Sequence, residues 1–432
     1  MEFPLDGAGP RRLALAASLA IAALLAFQAS EIWLANRRIN SSDLDSIRRG
    51  AALTPADGEA WDRVGRFEEY DFADSSPADA IEAYRHAIAD DPNSSYYWLD
   101  LGSAYDLAGN IEQARHAYEQ ARSAYPLSAI VAWNYGNFLL LHRQYDPAFE
   151  EIQRSVRANP SLLPLAISRV WRSSEDVNQL LDRALPPDTN AYFQAIDFFR
   201  SIQRTDAGLT VWNRLVKLNQ PFPLVRAFPL LDELLDDNRA DDARGVWKQA
   251  LAAASWPNGD PPNRSVLYDG NFSHEFPNGG LGWRWDPVIG VSINFDTAPP
   301  SANGRSIRIE FGGGTNLNLD RPAQFAAVDP NTHYVFHADL KSEGITTESG
   351  IRFSITDPHD LAAVNITTDN LTGSHPWTSV NTDVLTGPST HFVSVKVVRP
   401  LSRMFESKLA GTAWIANVSL IPADAAVKRA SQ

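Results

Sequence analysis

A cluster of side chains with catalytic potential lies at Asp357-Pro358-His359-Asp360, which brings together two carboxylates and an imidazole. Such groups act as general acids and bases or as metal ligands. An Asp-Pro pair at the end of a strand-like stretch is also ordinary turn chemistry, and we favour that interpretation. The glycine-rich segment 311–316 follows a strand pattern and precedes no helix or Gly-Lys-Ser, so it is not predicted to hold phosphate. We predict no enzyme activity, no catalytic residues and no metal-ligating residues, because no set of nucleophile, base and oxyanion donor can be assembled.

A regular spacing of large and small residues dominates the first half of the chain. Four prolines are separated by 37, 34 and 34 residues, and three glycines by 37 and 34 residues. The three extra residues of the first unit fit into the polar stretch 70–79, because turns accept insertions easily. Each unit is predicted to form two short helices joined by a turn, with proline ending the second helix. These residues are Pro55, Pro92, Pro126, Pro160, Gly65, Gly102 and Gly136.

This pattern resembles the tetratricopeptide repeat (TPR) family, and one unit carries almost the whole signature. Its positions are held by Trp98, Leu101, Gly102, Tyr105, Ala114, Tyr118, Ala121 and Pro126. The other units depart from the signature, with Glu68 and Leu139 in place of tyrosine and Ala132 in place of tryptophan. The resemblance implies an all-α solenoid over residues 37–255, with clear repeats at about 56–160 and degenerate ones before and after.

The resemblance also implies a concave groove, lined by the first helix of each unit, that binds a protein or peptide partner. A nucleic-acid partner is not expected, since 52 acidic against 38 basic residues give a net charge of −14. The residues expected to face the groove are Asp62, Arg66, Glu69, Leu99, Ser103, Asp106, Trp133, Asn137 and Leu140.

The N-terminus predicts a transmembrane anchor after a short tail at residues 1–12. Residues 13–35 carry one charge, at Glu31, and are long enough to cross a hydrocarbon core. A cleaved signal peptide is the alternative, but small residues do not fall at both positions before a cleavage point. We expect the retained anchor, with the bulk of the chain exported. The chain has no cysteine, which excludes disulfides and thiolate metal sites.

The pattern changes at residues 256–263, where three prolines and a glycine predict a linker. Beyond it, apolar and polar residues alternate with a period of two between turn residues, which predicts a β-sandwich at residues 264–423 with about eight strands. Residues 424–432 are predicted to form a C-terminal tail. The clearest strand patterns are at 306–311, 333–340, 350–356, 391–398 and 412–420.

The sandwich resembles carbohydrate-binding modules with the galactose-binding-like jelly roll. The similarity lies in the segment 266–285, with an Asn-Phe and then a Gly-Trp, and in the closing segment 411–422. The family's structural calcium uses acidic residues where Ser273 and Asn417 stand here, so we expect no cofactor. Glycan binding would use exposed aromatic rings with polar neighbours. The candidates are Trp283, Trp285, Trp377, Asn316, Asn318 and Asp286; the alternative is that the tryptophans fill the core.

Together these features predict a multidomain, non-enzymatic scaffold with an anchor helix, a TPR solenoid and a jelly-roll sandwich. Such an arrangement resembles bacterial envelope proteins that accompany extracellular polysaccharide synthesis or export. Two alternatives stay open at this stage. A glycan-cleaving enzyme would place two carboxylates about 5 to 10 Å apart on an open face of the sandwich, whereas a purely structural or protein-binding sandwich would bury all three tryptophans.

Overall fold

The computed structural model describes residues 8–70, 76–257, 265–296 and 305–423, without the side chains of 8–11. Most of the predicted linker at 256–263, the C-terminal tail at 424–432 and the first seven residues of the N-terminal tail lie outside this range. The chain divides into two compact units, Met1–Pro187 and Asp188–Gln432.

The first unit opens with helix α1 (Ala8–Ile39), whose segment Arg12–Ile39 is long and apolar enough to cross a membrane. Its apolar side chains are exposed as far as Trp33, which is 61% exposed. The last turns differ, because Ala35 and Ile39 are buried against helix α2 (Leu44–Leu53) and the helix that follows. The candidate membrane helix therefore continues without interruption into the packed helical array.

Three helix pairs follow, and together they form the predicted repeats. Ser76 and Ser128 cap the helices that follow them by accepting hydrogen bonds from the backbone N–H groups of Asp79 and Val131. The helices are α3 (Gly58–Tyr70), α4 (Pro77–Asp90), α5 (Ser95–Leu107), α6 (Ile111–Ala124), α7 (Ala129–Leu141) and α8 (Tyr145–Ala158).

Two contacts explain the spacing of the repeat signature. The indole N–H of Trp98 donates to the backbone oxygen of Pro92 at 2.8 Å, and Trp61 makes the same bond to Pro55. Gly65 is small because a Cβ there would lie 2.5 Å from the ring of Tyr84. In the first two units the tryptophan is therefore hydrogen-bonded to the proline before it, and glycine allows the two helices of a pair to approach.

The helical array extends beyond the clear repeats. Helix α9 (Leu163–Ser174) and the short α10 (Val177–Gln179) are followed by a π-helical turn at Leu180–Ala184. The second unit begins with four more helices, so the described residues contain fourteen α-helices in all. The last four are α11 (Thr189–Ser201), α12 (Thr205–Lys217), α13 (Phe228–Asp236) and α14 (Ala240–Ala253).

The rest of the second unit consists of nine described strands in two antiparallel sheets. A five-stranded sheet has the order β1-β2-β9-β4-β7, and a four-stranded sheet has the order β3-β8-β5-β6. The segment 265–290, predicted to contain an opening strand, instead forms turns with one isolated bridge between Arg284 and Ala323. The strands are β1 (Val291–Asp296), β2 (Ser306–Gly312), β3 (Ala323–Ala327), β4 (His333–Ile345), β5 (Arg352–Thr356), β6 (Asn365–Thr367), β7 (Gly373–Leu385), β8 (Phe392–Val398) and β9 (Ala410–Pro422).

One apolar core lies between the two sheets and includes Tyr334, Phe336 and Phe353, all fully buried. In the same unit, the turn at Gly279 and Gly280 lies against Phe228 of α13 and Trp247 of α14. The sandwich and the last two helices are therefore packed on each other within one compact unit.

Candidate functional site: the repeat groove and the sandwich face

The first helices of the repeats, α3, α5 and α7, are joined by a line of polar contacts. The Arg66 guanidinium lies 2.9 Å from the Asp100 carboxylate, and the Ser103 hydroxyl donates to Glu69 at 2.6 Å. The first two units are offset by 37 residues, so each contact joins a residue of α3 to the α5 residue that lies three positions, about one helical turn, before its equivalent. Asp106 continues the line to His142, with 2.7 Å between its Oδ1 and the imidazole Nε2.

The predicted groove residues differ widely in exposure. Leu99 is buried in the apolar core of the repeats and offers little surface to a partner. Arg66 is exposed, whereas Asp62 and Glu69 are only 6% exposed. The half-buried members are Ser103, Asp106, Trp133, Asn137 and Leu140.

Burial shapes the electrostatics of the two acidic residues on α3. It raises the pKa of Glu69 above its usual range, although hydrogen bonds from the Ser103 and Tyr84 hydroxyls oppose this shift. The pKa of Asp62 rises to about 7, because the carboxylate is buried and lies near Asp100, against the opposing charge of Arg66. The start of the groove is therefore an acidic environment in which Asp62 gains and loses its proton near neutral pH.

The groove changes character in the third repeat. The side-chain amide of Asn137 donates to the backbone oxygen of Trp133 at 2.9 Å, within α7. Leu140 packs partly against the core of the repeats. This part of the groove presents half-buried aromatic and aliphatic surface, and the first two repeats present charge.

Asp100 and His142 belong to this line of contacts but were not among the predicted groove residues. Asp100 could have been found from the sequence, because it lies about one helical turn before the position equivalent to Arg66 and carries the opposite charge. His142 lies just after the end of α7, and its contact with Asp106 depends on how the two repeats stack.

In the sandwich, the structure argues against Trp283 as a glycan-binding residue. Its side chain is 1% exposed, lies in the core and donates its indole N–H to the backbone oxygen of Asp269. Trp285 is half-buried and packs against the same core. The face that these two tryptophans share is therefore the core.

The other glycan candidates do not form one site. The Asn316 amide is used within the fold, since it donates to the backbone oxygen of Ser402 and accepts from Arg399. Asn318 is exposed, and Asp286 is an exposed residue 3.7 Å from Arg321. Trp377 lies elsewhere, on the edge strand β7, and is half-buried.

The two positions compared with calcium ligands make hydrogen bonds within the sandwich. The Asn417 amide nitrogen donates to Asp339 at 2.7 Å, and the Ser273 backbone N–H donates to Asp269. Within the described parts of the chain, no group of three or more His, Asp and Glu side chains is placed to hold a metal.

The outer face of the five-stranded sheet carries aromatic residues that the sequence interpretation missed. Trp414 of β9 pairs in register with Lys341 of β4, and the Lys341 ammonium lies 4.2 Å from the centre of the indole ring. Trp377 belongs to the next strand, β7, on the face opposite to the inward Val380 and Val384. The alternation around Trp414 indicated this outward position, because Ala413 and Ile415 point into the core.

Polar side chains surround these two tryptophans on the same face. The Trp414 indole N–H donates to Asp296 at 3.1 Å, and Arg308 pairs in register with Trp414 from the other side. Beside Trp377, Ser379 donates to Asp339 at 2.6 Å. The face therefore combines ring surface with donors and acceptors that can pair with hydroxyl groups.

Comparisons with known proteins bear on the repeats. Two tetratricopeptide repeat family models match residues 71–133 and 107–162. No curated protein matches the chain. Solved structures with some similarity include Pseudomonas aeruginosa pilF, 19% identical with a TM-score of 0.30, covering 44% of this chain and 91% of that one.

Two further structures show similarly weak likeness. YrrB, described as a TPR protein with an unusual peptide-binding site, is 13% identical with a TM-score of 0.26, covering 49% of this chain and 94% of that one. MamA is 17% identical with a TM-score of 0.20, covering 41% of this chain and 89% of that one. Similarity at this level indicates nothing about function. The two family models identify tetratricopeptide repeats within residues 71–162.

Proposed function

We propose that this protein is a non-enzymatic, membrane-anchored scaffold whose repeat groove binds a segment of a protein partner and whose sandwich binds glycan. The observation that carries the proposal is the line of polar contacts along α3, α5 and α7. It orders side chains from three repeats along one surface, as an extended peptide ligand requires. Partly buried charges and a half-buried tryptophan are typical of surfaces that select a partner.

The anchor is supported by the length and apolar surface of α1, whose most apolar stretch contains no buried residue. Arg37 lies over the ring of Trp33 at 5.5 Å, a pairing suited to the interface between lipid and water. In the proposal, the bulk of the chain lies on the exported side, in the cell envelope.

The strand order supports a jelly roll for the sandwich. Strands β2-β9-β4-β7 face β3-β8-β5-β6, and successive strands of this set mostly alternate between the two sheets. Glycan binding is supported by the outer face around Trp377 and Trp414, which lie on strands separated only by β4. Two strand spacings of about 4.8 Å each separate the rings by roughly 10 Å, a distance that neighbouring sugars of a polymer can bridge. The link to extracellular polysaccharide synthesis or export rests on analogy.

Partner binding is tested by selecting short random peptides against the full chain in lipid nanodiscs. The proposal expects selected peptides to bind saturably and to lose about tenfold or more in affinity in a Trp133→Ala variant. A matched control is Glu150→Gln, which changes an exposed residue on the second helix of the same repeat. Failure to select any peptide, or equal binding by Trp133→Ala, would remove the support for a peptide groove.

Glycan binding is tested by calorimetric titration of the same preparation with a panel of bacterial polysaccharides. Saturable binding is expected, with loss of affinity in Trp377→Ala and Trp414→Ala. Phe405→Ala is the control, because Phe405 is a fully exposed aromatic residue in the loop before β9. Binding that survives both tryptophan changes would exclude this face, and no binding to any glycan would favour a structural or protein-binding role for the sandwich.

A further inference from the structure

A cleft of about 400 Å³ lies where α1 meets α3, at the start of the groove. Its walls include Asn36 from the end of α1 and Asn40 just after it, and Asp57, Glu59, Asp62 and Arg66 from the beginning of the first repeat. The cleft exists because Ala35 and Ile39 pack the end of α1 against the first repeat. In this contact α1 resembles the first helix of an additional pair.

Negative charge exceeds positive charge around this cleft. Three carboxylates line it, and Asp100 adds a fourth through its contact with Arg66. Arg63 and Arg66 are the two arginines in its walls. The Arg66 guanidinium is shared between Asp62, at 3.0 Å, and Asp100, at 2.9 Å, so one cation faces two anions.

Asp62 provides an independent indication that a ligand is missing. Asp62 is 6% exposed, and its Oδ2 contacts Arg66. Its Oδ1 is buried and meets no N–H donor among the described residues, since the neighbouring Asp100 side chain is another carboxyl. A buried carboxylate oxygen without a donor costs free energy, so such atoms are rare unless something else satisfies them. Burial, with a smaller contribution from the charge of Asp100, raises the pKa of this carboxyl.

The cleft also has a defined position along α1. Asn40 follows Trp33 by seven residues, which corresponds to about 10 Å along a helix. If Trp33 lies at the membrane interface, the cleft opens close to the membrane surface. A partner segment held at that surface can reach it without a long extension.

We propose that this cleft binds a lysine or arginine side chain of a partner protein segment lying at the membrane surface. The inference rests on the proposed function, since it names the chemistry of the partner that enters the groove. The cationic group donates to the free Oδ1 of Asp62, with Glu59 at the rim of the cleft and the amides of Asn36 and Asn40 as further polar contacts. A long, flexible side chain with a terminal cation suits a cleft that contains a buried carboxylate.

The test uses the full chain in nanodiscs of phosphatidylcholine and three fluorescent probe peptides. One alternates lysine with serine, and the others replace lysine by glutamine or by glutamate. Fluorescence anisotropy is expected to show binding of the lysine peptide at least about tenfold tighter than of the other two. Its affinity should fall as salt is raised.

Variants locate the binding to the cleft. Asp62→Asn and Glu59→Gln are each expected to weaken lysine-peptide binding by about tenfold, while Glu150→Gln leaves it unchanged. Glu59 is exposed, so its substitution keeps the test valid even if Asp62→Asn disturbs folding. Equal weakening by all three variants would indicate general attraction to an acidic protein and would overturn the inference.

The remaining outcomes separate the inference from the proposed function. Equal binding of the lysine and glutamine peptides, lost in Trp133→Ala, would leave a peptide groove but overturn the preference for a cation. If peptides selected from the random library bind but the lysine probe does not, the inference is likewise overturned. A probe that binds empty nanodiscs equally well would point to lipid headgroups and also contradict it.

Discussion

At the scale of single residues, Asp62 has the most unusual environment in the groove. Its carboxyl is faced by Arg66 and Glu59 from its own helix, by Asp100 and Tyr97 from α5 and by Tyr84 from α4. Burial and Asp100 outweigh Arg66, which raises its pKa from 3.8 to about 7. The folded chain therefore retains a proton here that the unfolded chain has already lost, over the range from about pH 4 to pH 7.

This environment predicts how the stability of the first unit depends on pH. Because the folded state binds more protons than the unfolded state in that range, the Asp62 contribution to the free energy of unfolding falls as pH rises through it. Above about pH 7 this contribution falls no further. Asp62→Asn should remove this slope, so the variant gains stability relative to the wild type between pH 5 and pH 8, as measured by urea unfolding of the full chain in detergent.

The control for this prediction is Asp45→Asn, an exposed aspartate on α2. It should leave the difference between pH 5 and pH 8 unchanged. The same pH slope in the wild type and in Asp62→Asn would mean that this carboxyl is ionised normally and that Arg66 outweighs its burial.

At the scale of elements, the repeats were largely predictable and the sandwich was only partly so. One small residue recurs at the same position of each unit, and its three copies, Ala80, Ala114 and Ala148, lie in the first turns of α4, α6 and α8. The period made this possible, because each signature residue reports a local contact such as that between Trp98 and Pro92. Strands β2, β4, β5, β8 and β9 follow from alternation, because one face of each is apolar.

The elements that sequence reasoning missed lack such a local signal. Strand β7 is an edge strand with mostly exposed polar residues, so its alternation is weak. The pairing of Trp414 with Lys341 joins positions far apart in sequence, and only the sheet register brings them together. The acidic cleft likewise depends on α1 continuing beyond its apolar stretch, which hydropathy alone does not indicate.

The continuity of α1 gives a prediction at this scale. The backbone oxygen of Asn36 accepts the N–H of Asn40 at 3.1 Å, in the part of α1 that packs on α2. Asn36→Pro keeps this acceptor oxygen, but it removes the backbone N–H of Asn36, and its ring clashes with the preceding turn of α1. The substitution should therefore destabilise the first unit by about 3 kcal/mol. Urea unfolding measures this loss, and the lysine probe should no longer bind the cleft.

Asn36→Ala serves as the control, because Asn36 is exposed and alanine favours a helix. It should keep the stability of the unit and weaken probe binding only slightly. If Asn36→Pro has the same free energy of unfolding as the wild type, then α1 does not act as a structural part of the repeat array.

At the scale of the whole molecule, the second unit joins helices and sheets into one packed body. Arg244 of α14 pairs with Asp329 at 2.7 Å, and Arg284 pairs with Asp232 of α13 at 2.8 Å. Both pairs are partly exposed and contribute little by themselves. The close contacts of the turn at Gly279 and Gly280 with aromatic side chains are a stronger constraint, because packed surfaces cannot accept added atoms without shifting.

Gly279→Ala tests whether the helices and the sandwich depend on each other. A Cβ at this position would lie 2.2 Å from the ring of Phe228, so either the turn or α13 must move. We expect the second unit to lose about 1 to 3 kcal/mol of stability, as other overpacked sites do.

Gly314→Ala is the control, since a Cβ there meets no atom within 4 Å. Thermal unfolding followed by helix and sheet signals in circular dichroism should show both signals shifting together in Gly279→Ala. A shift in the sheet signal alone would mean that the sandwich folds independently of α13 and α14, and equal behaviour of the two variants would mean that the Phe228 ring moves aside at no cost.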